Sequence, residues 1–244
     1  MVRIGLFSDC EGNARALEAV LGALRRQSPD LLVCAGDILC NPFSPHPPAE
    51  TIALLRAESV LAIPGNHDRY LLDWGTPRWS STVWMRLRRT DPLRFSFDDV
   101  AAGQALIPPD DLAWLRGLPE ELVLGGGRVY VCHGMPGNAW NSIWPRSPVY
   151  DANVSDRDVA AAHALLLRSA PDVEVVLCGH APEPREVRTQ LPGDAGDAGS
   201  SGGRAGRALH VIRAGFLRDH VCYALVDETT AGWSVQWGEV RYVA

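Results

Sequence analysis

Short apolar runs alternate with segments of helical spacing in the first part of the chain. Residues 2–8, 31–35 and 60–63 form apolar runs, and these predict three short buried strands. Residues 13–26 carry apolar side chains at helical spacing, and residues 48–57 form a second helical segment. Strands that alternate with helices at this pace predict an α/β fold with a parallel sheet.

The remainder of the chain mixes helical and strand patterns. Residues 79–89, 109–116 and 155–169 read as helices, the last with Ser155 as its N-cap. Residues 121–124 and 128–132 flank three glycines and predict a hairpin. Further strands are predicted at residues 173–178, 209–213, 221–227 and 232–242. A Gly-rich segment near residues 192–207 predicts a flexible loop, and we expect residues 1–244 to form a single domain.

Composition and charge exclude several functional classes. Hydrophobic residues make up 46% and charged residues 21% of the chain, a balance typical of globular proteins. All 23 basic residues are arginine, so the lysines of P-loop, kinase and Schiff-base chemistry are absent. A net charge of −6 argues against tight binding to duplex DNA. Without a membrane-length apolar run or a signal-peptide layout, the chain is expected to be cytoplasmic.

Polar residues with metal-binding chemistry follow the predicted strands. They come in the order Asp9 and Glu11, Gly36-Asp37, Gly65-Asn66-His67-Asp68, His133-Gly134, and Gly179-His180. Because ligands lie beyond the carboxyl ends of strands in α/β sheets, these residues should meet at one edge. Hard oxygen donors mixed with imidazoles suit Mn²⁺, Fe or Zn²⁺, and a shared carboxylate can hold two ions together.

This ordered set resembles the calcineurin-like metallophosphoesterases, closest to their small bacterial phosphodiesterase branch. The family pattern is D-x-H, G-D, G-N-H-D/E, H and G-H-x-H, and the resemblance runs from residue 2 to about residue 180. The resemblance implies a four-layer α/β/β/α sandwich of two mixed sheets flanked by helices. It also implies two divalent metal ions at the sheet edge.

The resemblance assigns roles by position. Asp9 belongs to the first metal, Asp37 bridges both metals, and the second metal is held by Asn66, His133 and His180. His67 matches a non-ligand histidine that stabilises or protonates the leaving oxygen. Asp68 would orient that histidine.

Two positions depart from the family pattern, and both belong to the first metal. Glu11 replaces the histidine of D-x-H, and Pro182 replaces the second histidine of G-H-x-H. With Glu11 as a ligand, the first site becomes an all-carboxylate set that favours Mn²⁺ or Mg²⁺. We expect Mn²⁺ in the protein, with Mg²⁺, Fe and Zn²⁺ as alternatives. Cys10 is expected to point away from the two carboxylates that flank it, on an extended segment.

The predicted function is hydrolysis of small phosphodiesters or nucleotides by a metal-bound hydroxide. The alternatives are a phosphomonoesterase, and a single-metal or non-catalytic relative that binds a partner. Arg78, Trp140 and Arg146 are candidate substrate-binding residues, through phosphate pairing for the arginines and base stacking for the tryptophan. The same tryptophan would also suit packing of a loop onto the core or onto a second copy in a homo-oligomer.

Overall fold

The computed structural model describes most of the chain in seven segments. They are residues 1–39, 47–79, 97–144, 154–181, 183–191, 206–217 and 220–241. Arg146, Pro182, nearly all of the predicted helix 79–89 and most of the Gly-rich segment therefore lie outside the described residues. Among the described residues, no helix is both long enough and apolar enough to cross a membrane.

Strands and helices alternate at the start of the chain, and the last six described elements are strands. The strands are β1 (Arg3–Phe7), β2 (Leu31–Cys34), β3 (Leu61–Ala62), β4 (Leu122–Leu124), β5 (Val129–Val131), β6 (Val175–Cys178), β7 (Arg185–Leu191), β8 (Arg207–Arg213), β9 (Phe216–Leu217), β10 (His220–Thr229) and β11 (Gly232–Arg241). The helices are α1 (Ala14–Arg25), α2 (Pro48–Ala57), α3 (Asn66–Leu72), α4 (Phe97–Ala105), α5 (Pro109–Arg116) and α6 (Asp156–Ser169).

The strands form two mixed sheets. The first runs in the order β11-β10-β1-β2-β3, with β9 paired to β10, and its strands β1, β2 and β3 are parallel. The second runs in the order β4-β5-β6-β8-β7, and its strands β5, β6 and β8 are parallel. Each sheet therefore has three adjacent parallel strands whose carboxyl ends lie along one edge, and antiparallel pairings join the remaining strands to them.

Three apolar layers hold the sheets and helices together. One layer lies between the first sheet and its helices, and it includes Phe7, Leu17 and Leu55. The middle layer joins the two sheets, and the third packs α6 onto the second sheet. Alternation along β6 shows the arrangement, because Val175 and Leu177 enter the middle layer while Val176 enters the third. The predicted α/β/β/α sandwich is confirmed.

Local signals in the sequence account for several element boundaries. Asn13 caps α1 by accepting a hydrogen bond from the Ala16 N–H at 3.0 Å. Ser155 and Asp158 form a capping box at the start of α6. Gly126 and Gly127 have φ angles of 66° and 97°, so the turn between β4 and β5 uses backbone conformations that favour glycine.

Strand β7, like α3, α4 and β9, was not predicted from the apolar pattern. It pairs antiparallel with β8 at the edge of the second sheet, and most of its side chains are exposed or half-buried. Charged residues are a common feature of edge strands, because they discourage pairing with other chains. An edge strand of this composition lacks the apolar run on which the prediction depended.

Candidate metal centre

The candidate site lies where the parallel strands of the two sheets end. The Gly179 N–H donates to the His133 carbonyl at 2.9 Å, which ties the ends of β5 and β6 together. The Asp9 N–H donates to the Gly36 carbonyl at 2.9 Å, which ties the ends of β1 and β2 together. The His180 N–H donates to Asp9 Oδ2 at 3.1 Å and links the two sheets. The six residues predicted as ligands, Asp9, Glu11, Asp37, Asn66, His133 and His180, follow strands that meet at this edge.

Left-handed backbone conformations turn the chain sharply at this edge. Asp9, Glu11, Asp37 and His180 have φ angles of 58°, 48°, 50° and 73°. Asp and His adopt this region more readily than most residues with a side chain. The expectation of an extended segment around Cys10 is wrong, because both neighbours of Cys10 are left-handed. Its side chain does point away from the site and packs in the core.

The glycines of the motifs allow the strand ends to approach one another closely. A Cβ atom at Gly65 would overlap Asp37 Oδ1, and one at Gly179 would overlap the Ser8 hydroxyl. Both positions therefore require the absence of a side chain rather than a special φ angle. The glycine before Asn66 and the one before His180 are thus part of how the site is assembled.

Asp9, Asp37 and His133 form the first group with metal-binding geometry. One ligand atom from each lies within 4.8 Å of the others, and all three residues are buried. His133 Nδ1 donates to the Ala35 carbonyl at 2.7 Å. In the neutral ring, Nε2 then carries no proton, and it lies 3.3 Å from Asp37 Oδ2. A histidine whose other nitrogen donates to a backbone carbonyl is the usual arrangement in metal sites.

Glu11, Asp37 and His67 form the second group. Their ligand atoms also lie within 4.8 Å of one another. His67 Nδ1 is 3.3 Å from Glu11 Oε1 and 3.5 Å from Asp37 Oδ2. Asp37 belongs to both groups, as expected of a carboxylate that bridges two ions. The geometry places His67 beside the predicted ligand Glu11, and its predicted role as a non-ligand remains a prediction.

Asn66 joins the two histidines of the predicted second site. Its Oδ1 atom lies 3.0 Å from His133 Nε2 and 2.8 Å from His180 Nδ1. The two imidazole rings are 5.3 Å apart between centroids, in an edge-to-face arrangement. One amide oxygen therefore faces two imidazole nitrogens, and Asp37 lies against the same His133 nitrogen. The predicted set of Asp37, Asn66, His133 and His180 converges in the structure.

The charges of the cluster fit a divalent cation. Burial raises the pKa of Asp9 to about 7, and the nearby Asp37 adds to this effect while His133 opposes it. Burial also acts to raise the pKa of Asp37, but His133 and His67 outweigh it and hold that pKa below its usual range. Burial lowers the pKa of His180 to about 3, with His133, His67 and Arg213 among the other contributors. Buried carboxylates beside a neutral imidazole are the donor set that Mn²⁺, Fe and Zn²⁺ accept.

Asp68 acts on the backbone around the site. Its fully buried carboxylate accepts hydrogen bonds from the N–H groups of Ile38, Leu39 and Gly65 at 3.0, 2.7 and 2.8 Å. Burial raises its pKa to about 6, and Asp37 adds to the shift. The carboxylate ties the loop after β2 to the N-terminus of α3, which carries His67. Through these contacts Asp68 positions the backbone of α3, so it affects the His67 ring only indirectly.

Two of the predicted substrate-binding residues, Arg78 and Trp140, have other contacts in the described part of the chain. Arg78 pairs with Glu120 at 3.0 Å, and both side chains are exposed. The Trp140 ring packs edge-on against Tyr70, with centroids 5.2 Å apart, and Tyr70 lies 6.3 Å from the His67 ring. Trp140 is therefore near the site and partly held by packing. The substrate role of both residues, and of Arg146, remains a prediction.

Arg213 is a residue beside the site that the sequence reasoning missed. It is the last residue of β8 and is only 6% exposed. It lies opposite Cys178 of β6 in the parallel register, and Cys178 directly precedes Gly179 and His180. The available signal was positional, because strand 209–213 was predicted and Arg213 stands at its carboxyl end. It was overlooked because it matches no metal-ligand motif.

Comparison with known proteins identifies the family of the chain. A metallophosphoesterase structure from Sphaerobacter thermophilus is 24% identical, covers 99% of this chain and 89% of its own, and superimposes with a TM-score of 0.62. A hypothetical protein from Pyrococcus horikoshii is 19% identical, covers 100% of this chain and 89% of its own, and gives a TM-score of 0.66. No curated protein sequence matches the chain. The sequence model of the calcineurin-like phosphoesterase family matches residues 2–202, and the chain belongs to that family.

Proposed function

We propose that this protein hydrolyses small phosphodiesters, nucleotides among them, with two divalent metal ions at the edge of its sheets. The observation that carries the proposal is the position of Asp37, which belongs both to the group with Asp9 and His133 and to the group with Glu11 and His67. A carboxylate shared by two groups is the arrangement that holds two ions close enough to act on one phosphate. Membership of the calcineurin-like phosphoesterase family supports the same reaction class.

The residues divide into two proposed ligand sets. By analogy with the family, Asp9, Glu11 and Asp37 form the first, and Asp37, Asn66, His133 and His180 form the second. These sets share Asp37 with the two geometric groups but differ from them, because the groups place Asp9 with His133 and include His67. When bound, the two ions would neutralise phosphate charge and lower the pKa of a coordinated water. Mn²⁺ is the proposed metal, because three carboxylates combined with two imidazoles suit an ion that accepts both donor types.

His67 is the proposed catalytic residue beside the metals. It lies on the first turn of α3, and its backbone N–H donates to Asp37 Oδ1 at 2.8 Å, so its position is fixed relative to the shared carboxylate. The His67 side chain is 23% exposed, so a substrate can reach it. From there His67 would supply a proton to the leaving oxygen. Asp68 is a positioning residue that holds the helix carrying His67.

The test is hydrolysis by protein reconstituted with Mn²⁺. Bis-p-nitrophenyl phosphate should be hydrolysed faster than p-nitrophenyl phosphate, and a chelator should abolish both activities. A preference for the monoester would replace the proposal with a phosphomonoesterase. Binding of Mn²⁺ without hydrolysis of either compound would favour a non-catalytic relative that binds a partner.

The variant His67→Ala separates catalysis from metal binding. Loss of a general acid typically lowers turnover by about 10²–10⁴-fold. The loss should be larger for alkyl than for p-nitrophenyl leaving groups, since alkoxides need the proton more. His163→Ala is the matched control, because His163 lies in α6 and belongs to neither proposed ligand set. Its ring stacks on Trp144, with ring centroids 6.2 Å apart. Equal losses across a series of leaving groups would place His67 in another role.

A further inference from the structure

Arg213 presents a buried positive charge without a described counter-charge. Its side chain is among the buried polar groups, and its Nε donates to the Glu183 carbonyl at 3.1 Å. Among the residues that the structure describes, no carboxylate lies within ion-pair distance of its guanidinium. A cation removed from water without an anionic partner is unfavourable, so such a group needs an anion from elsewhere.

The other largely buried or half-buried arginines that the structure describes are paired. Arg69 lies between Asp73 and Glu120, with only 12% of its side chain exposed. Arg128 pairs with Glu174 at 2.9 Å and also contacts Glu228. The fold therefore supplies carboxylates where it buries an arginine for structural reasons. Arg213 differs from both.

The position of Arg213 places its charge against the candidate metal centre. The Ala214 N–H donates to the Cys178 carbonyl at 3.0 Å, so the end of β8 is fixed beside the segment that leads to His180. The Arg213 Nε donates to the carbonyl of Glu183, which stands three positions after His180. Arg213 therefore borders the predicted second metal site on the His180 side.

We propose that Arg213 binds the phosphoryl group of the substrate, by donating hydrogen bonds to its non-bridging oxygens. A guanidinium presents donors in a planar fork that matches two oxygens of one phosphate. With Nε held by the Glu183 carbonyl, the terminal nitrogens are the donors available to such a ligand. The anion that the buried cation lacks is then the substrate itself. This inference rests on the proposed function, and it names a phosphate-binding residue that the metal-ligand motifs do not include.

A purely structural role makes different predictions. If Arg213 only supports the loop through Glu183, its replacement should change metal content or thermal stability without changing affinity for phosphate. Arg213→Gln retains an amide N–H that can reach the Glu183 carbonyl, but it removes the charge. Arg213→Lys retains the charge but loses the fork. Arg185→Gln is the control, because Arg185 lies opposite Arg213 on β7 and its side chain is 47% exposed beside Glu183.

The experiment is calorimetric titration of inorganic phosphate into the Mn²⁺-loaded protein, with metal content and melting temperature measured on the same samples. Loss of charge-assisted hydrogen bonds should weaken phosphate binding roughly 10–100-fold in Arg213→Gln. Arg213→Lys should lose several-fold, and it serves as the informative variant if the glutamine variant fails to fold. Arg185→Gln should bind phosphate like the wild type.

The outcomes separate this inference from the proposed function. Equal phosphate affinity in the wild type and a folded Arg213 variant would overturn the inference, as would a wild type that binds no phosphate. A change confined to metal content or melting temperature would also overturn it. Binding of phosphate that depends on Arg213, in a protein that hydrolyses no phosphoester, would support the phosphate site and refute the proposed hydrolysis.

Discussion

Asp68 connects two loops of the metal centre, and the variant Asp68→Asn tests how much the fold depends on that connection. Oδ2 accepts from both Ile38 and Gly65, while Oδ1 accepts from Leu39. Asparagine has nearly the same shape but only one acceptor oxygen. If that oxygen takes the place of Oδ2, the new NH₂ group faces the Leu39 N–H, and two donors meet in a buried position.

The magnitude follows from these three contacts. The charge-assisted hydrogen bond from Leu39 is lost, and the Leu39 N–H and the new NH₂ group are left facing each other, which together destabilise by about 2–4 kcal/mol. For a chain of this length, each kcal/mol lowers Tm by about 2–4 °C, so the expected decrease is about 4–16 °C. Both tied loops carry proposed ligands, namely Asp37 and Asn66. Affinity for Mn²⁺ should therefore fall as well.

Thermal unfolding and Mn²⁺ titration of two matched variants provide the assay. Asp158 also stands at the third position of a helix and accepts from the Ser155 N–H at 2.8 Å, but in an exposed capping box on α6. Asp158→Asn should lower stability by less than about 1 kcal/mol and leave Mn²⁺ affinity unchanged. Equal destabilisation by the two variants would refute the reasoning, because the burial of Asp68 and its hydrogen bonds to three separate backbone N–H groups would then contribute nothing beyond an exposed capping box.

Three further predictions concern the metals. Mn²⁺ at about 100 times its Kd should stabilise the protein by about 2.7 kcal/mol, and an unchanged Tm with and without chelator would contradict binding. Gly65→Ala should abolish Mn²⁺ binding in calorimetry, because its methyl group would displace Asp37, whereas Gly22→Ala should not, because a Cβ there would only contact the end of the Arg26 side chain at 3.8 Å. Glu11→Gln should raise the Mn²⁺ concentration for half-maximal rate; an unchanged activation curve would leave Glu11 with only a local structural role.

The sequence predicted the layers of the fold and the strand ends that the polar motifs follow, for identifiable reasons. Apolar runs end at Phe7, Cys34 and Cys178, and each is followed by a polar motif, so the strand ends and the site were located together. Helix α1 was bounded by the Asn13 cap, and α6 by Ser155. These signals are local, which is why a single sequence is sufficient to recognise them.

The features that escaped prediction depend on contacts between distant segments. No sequence signal shows that Asp68 bonds to Ile38 and Leu39, about thirty positions before it. The missing partner of Arg213 is equally invisible, because it is defined by what surrounds the side chain in space. Edge strand β7 escaped because its polar composition reflects its position at the rim of a sheet rather than a local preference.

The left-handed residues of the metal centre have a consequence for how sequences of this fold change over time. Of the six non-glycine residues with positive φ in the described chain, four are Asp9, Glu11, Asp37 and His180. Each such conformation destabilises by about 1 kcal/mol or more, and glycine would relieve it. Selection for stability alone would therefore replace these positions first. A lineage that stopped binding metal should accumulate glycine and asparagine at them before its core changes, and thermostability engineering of this protein should leave them untouched.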